Sequence, residues 1–295
     1  LGFDTQVDEL IERVEKIKIA SRKALGFLLK DDGSYVTVGD SFPQPKPAIL
    51  EKAFGSVDPK TALLPESIKE GVFYSKTLGV AVYRYRNIHL VLNASWHSYV
   101  HKQNDDLSIF LSFHGEDFFI DGGYSDIIKH DIVDTRSCKL HSTIIPQGMP
   151  WKERGKVESG SSNLHYPSCD DTKIFFSGVH SRVSSSEVSR QVSIYNKIDK
   201  IEISDSVSPR VKSNHRFLIP NDKKVVINNN EITVSSCSAF LKIVVGSGSP
   251  ENNSQKIYIE KSSINIIKNN RIERCTVLDI LSTGLLSLEI NYLKN

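Results

Sequence analysis

The N-terminal part of the chain places apolar residues at steps of three and four positions. The series runs through Val7, Leu10, Ile11, Val14 and Ile17 and continues with Ala24, Leu25 and Leu28. This period predicts one amphipathic helix from residue 4 to about residue 30. Asp4 or Thr5 can cap the start of this helix, and Asp31–Ser34 is expected to end it.

A proline-rich stretch follows the predicted helix. Pro43, Pro45 and Pro47 stand close together in YVTVGDSFPQPKPAIL. Because proline removes a backbone donor and breaks a helix interior, this stretch is expected to cross the molecule in an extended conformation. Two short helices are predicted after it, near Ala48–Phe54 and Pro59–Lys69.

From about Gly71 the apolar pattern changes to a period of two. Runs such as LSIFLSF, KIEISDSVS and GLLSLEINYL alternate apolar and polar residues between turn-forming residues. Many short strands without helical spacers predict a mainly β fold, a large antiparallel β-sandwich preceded by a short α-helical segment. The longest stretch without a predicted strand is Gln147–Thr172.

The pattern divides the chain near residue 70. Residues 1–70 are predicted to form a helical segment with a linker, and residues 71–295 the sandwich. A helical part of this size cannot bury a good core of its own. We therefore interpret it as the end of a larger helical domain or as a collar on the sandwich.

Composition narrows the function classes. The 295 residues are 39% hydrophobic and 24% charged, which is typical of a soluble globular protein. Lys and Arg total 37 against 35 for Asp and Glu, so no broad basic field favours nucleic acid as a partner. No apolar run approaches the roughly 20 residues of a membrane span. We interpret the start at Leu1 as a cut or processed end, so the missing targeting signal proves little.

The cysteines exclude some kinds of site. Cys138, Cys169, Cys237 and Cys275 form no C-x-x-C pair, so neither a zinc ribbon nor a redox motif is expected. Their number is too small for a disulfide scaffold. The cysteines do not decide whether a single disulfide bridge forms or in which cellular compartment the protein acts.

Metal- and proton-capable residues gather at the margins of two predicted strands. His101, Asp105 and Asp106 precede LSIFLSF, and Asp121 ends the next strand in front of two glycines. His101 suits a general acid or base or a ligand, or it is an exposed loop histidine. The aspartates equally suit ordinary turn chemistry.

His141 lies in KLHSTIIP, which is predicted to be a strand, downstream of Arg136. A histidine in such a strand is either a satisfied core residue or a site residue. Together, His101, Asp121 and His141 are the residue types of a zinc site with nitrogen and oxygen ligands.

Four segments occur in an order that points to a known family. The match to the family motifs is approximate and keeps their order. The motif H-x-H-x-D-D-L-S-F corresponds to HKQNDDLSIF, and G-x-x-x-L-x-D-x-G corresponds to GEDFFIDGG. An Arg-Ser pair follows in TRSCK, and A-H-N-T corresponds to LHST. Upstream, DDGSYVTVGDS is similar to D-G-x-x-x-x-x-G-D-S. From about residue 31 to 150 the chain thus resembles the C-terminal β-domain of the heparinase II/III-like polysaccharide lyases.

The resemblance implies both a fold and a reaction. The family joins an N-terminal α/α toroid to a C-terminal antiparallel sandwich, so residues 1–70 would be the last toroid helices, with most of the toroid missing. The implied reaction is β-elimination in a polysaccharide that contains uronic acid. We expect an acidic polysaccharide as the partner, a role in capsule or lipopolysaccharide metabolism, and a periplasmic or extracellular location.

The resemblance also assigns roles to residues. It implies His101 as catalytic base or acid and Arg136 as an anion contact. Apart from the resemblance, Asn104 and Tyr124 are expected to contact substrate, and Asn104 equally suits a turn cap. Arg84 is also expected to contact substrate, because it shares one strand face with Arg86 and these two could form a groove for an anion with Arg136.

Asp121 and His141 match a metal-binding pair that holds zinc in some members of the family. Gln103 stands where a second ligand histidine is expected, and its amide is a poorer zinc ligand. Ser142 replaces the usual Asn. Two alternatives to a lyase are a non-catalytic glycan-binding or accessory module and a structural module that closes a partner's cleft.

Overall fold

The structure is a computed structural model that describes residues 2–32, 34–38, 70–85, 87–95, 102–124, 133–152, 160–195, 197–246, 258–268 and 271–294. The described part of the chain is mainly β, with a long helix ahead of the strands. The predicted short helices near Ala48–Phe54 and Pro59–Lys69, and the prolines before them, lie outside the described residues.

The predicted N-terminal helix is confirmed as α1 (Gly2–Leu28), but it begins ahead of Asp4 and Thr5, so neither of them caps its start. Its C-terminal end is packed against the sandwich, because Ala24 and Phe27 are buried. The apolar positions nearer the start are not covered, since Leu10 is 60% and Ile17 66% exposed. No helix of the described residues is both long and apolar enough to cross a bilayer.

Among the described residues, eighteen strands form three sheets, and every pair of neighbours is antiparallel. The first sheet follows chain order and consists of β1 (Gly71–Ser75), β2 (Val80–Tyr85), β3 (Ile88–Asn93), β4 (Ser108–Phe113) and β5 (Glu116–Phe119).

The second sheet has nine strands. Its members are β7 (Ser162–Leu164), β8 (Ser168–Cys169), β9 (Lys173–His180), β10 (Glu187–Tyr195), β11 (Lys200–Ser208), β13 (Lys224–Asn228), β14 (Glu231–Ser235), β15 (Ala239–Gly246) and β18 (Leu286–Lys294). The order is β13-β14-β15-β18-β11-β10-β9-β7, with β8 also paired to β9.

The third sheet has four strands in the order β16-β17-β12-β6. These strands are β6 (Ile144–Pro146), β12 (Lys212–Pro220), β16 (Tyr258–Lys268) and β17 (Arg271–Thr283). A bridge between Ile120 and Leu218 connects it to the end of the first sheet.

One core unites the sheets. Leu90 of the first sheet, Ile203 of the second and Phe217 of the third belong to the same buried cluster. The period-two pattern explains how the strands reach it. In β11 every second residue is buried, as expected for a strand with one face against the core.

The structure corrects three sequence expectations. Strands β1 and β17 form where none was predicted, and short strands β7 and β8 interrupt the stretch Gln147–Thr172. His141 does not lie in a strand. A 3-10 turn, Cys138–Leu140, precedes it, and the backbone N–H of His141 closes this turn onto the Cys138 carbonyl at 3.3 Å.

Candidate functional site

Three segments meet at one margin of the first sheet. They are residues 102–107 before β4, residues 120–124 after β5, and residues 133–143, which contain the 3-10 turn. The Asn104 N–H donates to the Arg136 carbonyl at 3.1 Å, and the Ile109 N–H donates to the Ser142 carbonyl at 3.1 Å. These bonds place motif residues from distant parts of the chain side by side.

Glycines allow the second segment to come close to the third. The Gly122 N–H donates to the Leu140 carbonyl at 2.8 Å. A Cβ on Gly122 would lie 2.5 Å from that carbonyl oxygen, so only glycine fits there. Gly123 has a φ of +71°, and its N–H donates to the Asp121 carboxylate at 3.1 Å.

Asp121 and His141 form a shielded pair at this margin. Nδ1 of His141 lies 2.7 Å from Oδ2 of Asp121, and the two side chains are 0% and 8% exposed. Burial works against the protonated imidazole, but the charge and hydrogen bond of Asp121 outweigh it and raise the pKa of His141. Nε2 of His141 is buried and has no hydrogen-bond partner among the described residues.

Charges of both signs are buried in the first segment. The Lys102 ammonium, 6% exposed, contacts Asp105 and lies 3.2 Å from the Asp106 carboxylate. Asn93 of β3 donates to Asp105 at 2.7 Å. Burial disfavours the ionised Asp106, but the charges of Lys102 and Arg182 prevail and lower its pKa to about 2. The network keeps the segment charged and ordered away from water.

Arg182 is a central residue that the sequence did not reveal. Its side chain is 0% exposed, and it donates to the Asp106 carboxylate at 2.7 Å. It also donates to the Gln103 carbonyl and to Oδ1 of Asn104, each at 2.9 Å. The Trp151 ring lies 5.6 Å from the guanidinium carbon. Arg182 lies 76 or more positions from the residues it binds, so no local pattern pointed to it.

A second buried ion pair lies between two strands of the second sheet and contacts the backbone of the site. Arg190 of β10 makes two hydrogen bonds with Asp205 of β11, at 2.7 and 2.8 Å. Its remaining nitrogen donates to the carbonyls of Leu107 and Ser142 at 2.8 and 2.9 Å. His215 adds a contact to Asp205 at 2.9 Å. The second sheet therefore fixes the segments that carry Asp106 and His141.

The predicted site residues are only partly gathered. His101 lies outside the described residues. Asn104 and Arg136 are adjacent, and Arg136 is exposed. Tyr124, 9% exposed, follows Asp121 on the same segment. The roles of these residues stay predictions.

Arg84 lies at the end of helix α1, where its guanidinium donates to the Leu29 carbonyl and to Asp31. Only 8% of the residue is exposed. A guanidinium at a helix C-terminus satisfies carbonyls that the helix leaves without partners. This placement gives Arg84 a structural task, and its contact with substrate stays a prediction.

The zinc expectation can be tested against the donors that are present. Structural zinc sites have four ligands. Asp121 and His141 are hydrogen-bonded to each other, and no group of three His, Cys, Asp or Glu residues that could hold a metal occurs in the described part of the chain. The charge of Lys102 also acts on His141 and would oppose a second cation. The described residues do not, by themselves, fit zinc.

Comparisons with known proteins agree with this architecture. The family described as heparinase II/III-like, C-terminal, matches residues 69–280. A solved heparinase III gene product is 14% identical with a TM-score of 0.74, and the alignment covers 98% of this chain and 47% of that one. A heparan sulfate lyase from Pedobacter heparinus is 14% identical with a TM-score of 0.73, covering 92% and 46%.

At these identities the solved structures show a shared fold. The chain spans about half the length of the structures it resembles. The search of curated protein sequences returned no match.

Proposed function

Because the chain belongs to the heparinase II/III-like family, through the C-terminal domain of that family, we propose that it acts in a polysaccharide lyase. The proposed substrate is an acidic polysaccharide that contains uronic acid, and the proposed reaction is β-elimination. The hydrogen bond between the Asn104 N–H and the Arg136 carbonyl carries the proposal, because it brings the segment that follows His101 next to an exposed cation.

The chemistry has three requirements. The uronate carboxylate must be neutralised so that the neighbouring C–H becomes acidic, a base must take that proton, and an acid must protonate the leaving glycosidic oxygen. We assign the base or acid to His101 and the anion contact to Arg136. Asn104 and Tyr124 are assigned to substrate contacts on the same margin.

The buried groups have a supporting role in this proposal. The Asp121–His141 pair and the Lys102–Asp106–Arg182 network hold the three segments in place, so that the residues at the margin need no rearrangement during the reaction. Substrate-contacting groups are more effective when the surrounding packing fixes them.

Heparan sulfate is the first substrate to test, because a structural neighbour is described as a heparan sulfate lyase. The exposed Arg136 side chain suits sulfate as well as carboxylate groups, since guanidinium binds either with paired hydrogen bonds. A role in capsule or lipopolysaccharide metabolism and a periplasmic or extracellular location accompany this proposal.

The direct test follows the ultraviolet absorbance of the unsaturated product during incubation with a panel of uronate polysaccharides. His101→Ala is expected to abolish the signal. Arg136→Ala is expected to weaken it by tenfold or more, on the order of one charge-assisted hydrogen bond, whereas Arg271→Ala, an exposed arginine on β17, leaves it unchanged. No product from any substrate, together with no effect of His101→Ala on binding, would contradict the lyase proposal.

A second candidate function is a non-catalytic glycan-binding or accessory module. Gln103 favours it, because an amide replaces the histidine that the family motif expects. This candidate predicts saccharide binding without turnover. Binding on a glycan array without release of unsaturated product would support it over the lyase.

We further propose that additional helices pack on α1, as in the toroid of the family. The uncovered apolar residues Leu10, Val14 and Ile17 support this, since such a stripe normally faces another apolar surface. The substrate cleft would then lie between those helices and the sandwich.

A further inference from the structure

We propose that Arg182 is a positioning residue that fixes the amide of Asn104 so that its Nδ2 group donates to an anionic sugar substituent. This inference rests on the proposed function and identifies a residue that the family motifs do not contain. It concerns the recognition of the substrate rather than the chemical step.

The guanidinium of Arg182 has several partners in one short segment of the chain. It is fully buried and binds three positions within one short segment, namely the Gln103 carbonyl, Oδ1 of Asn104 and the Asp106 carboxylate, at 2.9, 2.9 and 2.7 Å. Trp151 lies against it. A planar group with this many partners has little freedom to turn.

The chemistry of the guanidinium decides which way the amide faces. Arginine only donates hydrogen bonds, so the atom of Asn104 that faces it must be the oxygen. The Nδ2 group therefore occupies the other edge of the amide. No described residue accepts a hydrogen bond from this nitrogen, and Asn104 is half-buried rather than buried. In this proposal the donor edge faces the ligand.

The surroundings indicate the ligand. The backbone N–H of Asn104 donates to the carbonyl of Arg136, whose side chain is exposed. A fixed amide donor on a segment paired with the backbone of an exposed arginine suits an oxygen anion, such as the carboxylate or sulfate of an acidic sugar. If the amide were reversed, its oxygen would repel the same group.

Asn104→Asp tests this directly, because it preserves an oxygen acceptor for Arg182 at nearly identical size. The variant is expected to keep its melting temperature but to bind a size-defined heparin oligosaccharide at least about tenfold more weakly, since a donor to an anion is lost and a negative charge added. In a turnover assay KM should rise while kcat changes little. Equal affinity of native protein and variant would overturn the inference.

Arg182→Lys tests whether Arg182 acts through Asn104. The lysine keeps a positive charge beside Asp106 but lacks the planar guanidinium that reaches Gln103 and Asn104. The substitution should therefore weaken oligosaccharide binding in the native background. In the Asn104→Ala background the same substitution should have a smaller effect, which a purely structural role would not produce. Equal effects in both backgrounds would overturn the positioning role. If Arg182→Lys does not fold, equal oligosaccharide binding by Asn104→Asp and the native protein still overturns the inference.

The two proposals fail in different ways. A native protein that neither binds nor cleaves any uronate polysaccharide of the panel, the heparin oligosaccharide included, overturns both. A native protein that binds, with Asn104→Asp binding equally well, overturns only the role of Arg182 and leaves the proposed function standing.

Discussion

His141 and Asp121 are 20 positions apart in the chain, yet Nδ1 of the histidine lies 2.7 Å from a carboxylate oxygen of the aspartate. Asp121 follows strand β5, and His141 follows the 3-10 turn Cys138–Leu140. Both side chains are shielded from water, so each depends on the other for its main polar contact. The pair joins the segment after β5 to the segment after the 3-10 turn.

Asp121→Asn should destabilise the protein more at pH 6 than at pH 9. The pKa of His141 is raised above its ordinary value of 6.5. The protonated His141 therefore stabilises the folded state fully below pH 6.5, and this stabilisation is lost as the pH rises through the pKa of the folded protein. We expect a loss of roughly 3 kcal/mol at pH 6 and about 1 kcal/mol at pH 9, measured by urea unfolding.

Glu231→Gln provides the control for that experiment. Glu231 forms an ion pair with Lys242 in which both side chains are nearly half exposed. Its loss should cost less than about 1 kcal/mol at either pH. An equal loss at both pH values for Asp121→Asn would contradict the proposed charge on His141.

Zinc binding should depend on residue 103. The native chain is expected to retain little zinc after dialysis, because Asp121 and His141 supply fewer than the four ligands of a structural site. Gln103→His adds an imidazole where the family motif has one, and we expect it to increase the zinc content measured by mass spectrometry. Gln103→His combined with Asp121→Ala should lose that gain. Stoichiometric zinc in the native chain would show that Gln103 does not limit metal binding.

His89 should make the protein less stable in mild acid. Nε2 of His89 lies 2.8 Å from the Phe27 carbonyl, to which it donates. Burial is the largest cause that lowers the pKa of His89, to about 3, and the charge of Arg84 acts in the same direction. The bond to Phe27 opposes this shift, and the charge of Lys30 adds to it. The unfolded chain therefore takes up a proton that the folded chain refuses between about pH 6.5 and 3, and stability falls as the pH falls through that window.

His89→Gln is expected to keep the hydrogen bond to Phe27 while removing the titrating group. The free energy of unfolding should then fall less steeply between pH 6.5 and 5, by up to about 1.4 kcal/mol per pH unit. Some slope remains because burial also lowers the pKa of His180, to about 4. His165→Gln makes the same substitution at an exposed histidine and is the control. An unaltered slope in His89→Gln would count against the assignment.

Arg190 and Asp205 should be strongly coupled. Arg190→Met leaves the Asp205 carboxylate buried without its bidentate partner, which is expected to cost about 3–5 kcal/mol in urea unfolding. Arg190→Met with Asp205→Leu should cost less than the sum of the single substitutions. Lys200→Met, in a partly exposed ion pair, is the control and should cost less than about 1 kcal/mol. Additive losses would contradict the coupling.

The uncovered face of α1 should promote self-association. Leu10→Glu combined with Ile17→Glu removes apolar area from positions that are 60% and 66% exposed. We expect sedimentation velocity to show a smaller fraction of dimers and of larger species. The melting temperature should not change, because neither side chain is packed on the sandwich. Arg13→Gln alters charge without apolar area and should have no such effect. A lower melting temperature in the double variant would show that this face is already covered.

Local sequence patterns predicted much of the fold. The three- and four-residue steps identified α1, and the period of two identified most of the strands, because one-sided burial imposes those periods. Strand β17 was missed, since its residues Cys275–Ser282 are all buried and therefore do not alternate. The motif order singled out Asp121 and His141 before any contact was known.

The sequence by itself determined the mainly β architecture, the helix ahead of it and the family motifs, because each is encoded in neighbouring residues. Only the tertiary structure placed Arg182 on Asn104, Arg190 on Ser142 and Arg84 on the end of α1. A buried arginine is tolerated only where distant acceptors converge on it, since an unpaired buried charge is too costly. That convergence depends on how the sheets pack, and no single stretch of the sequence contains it.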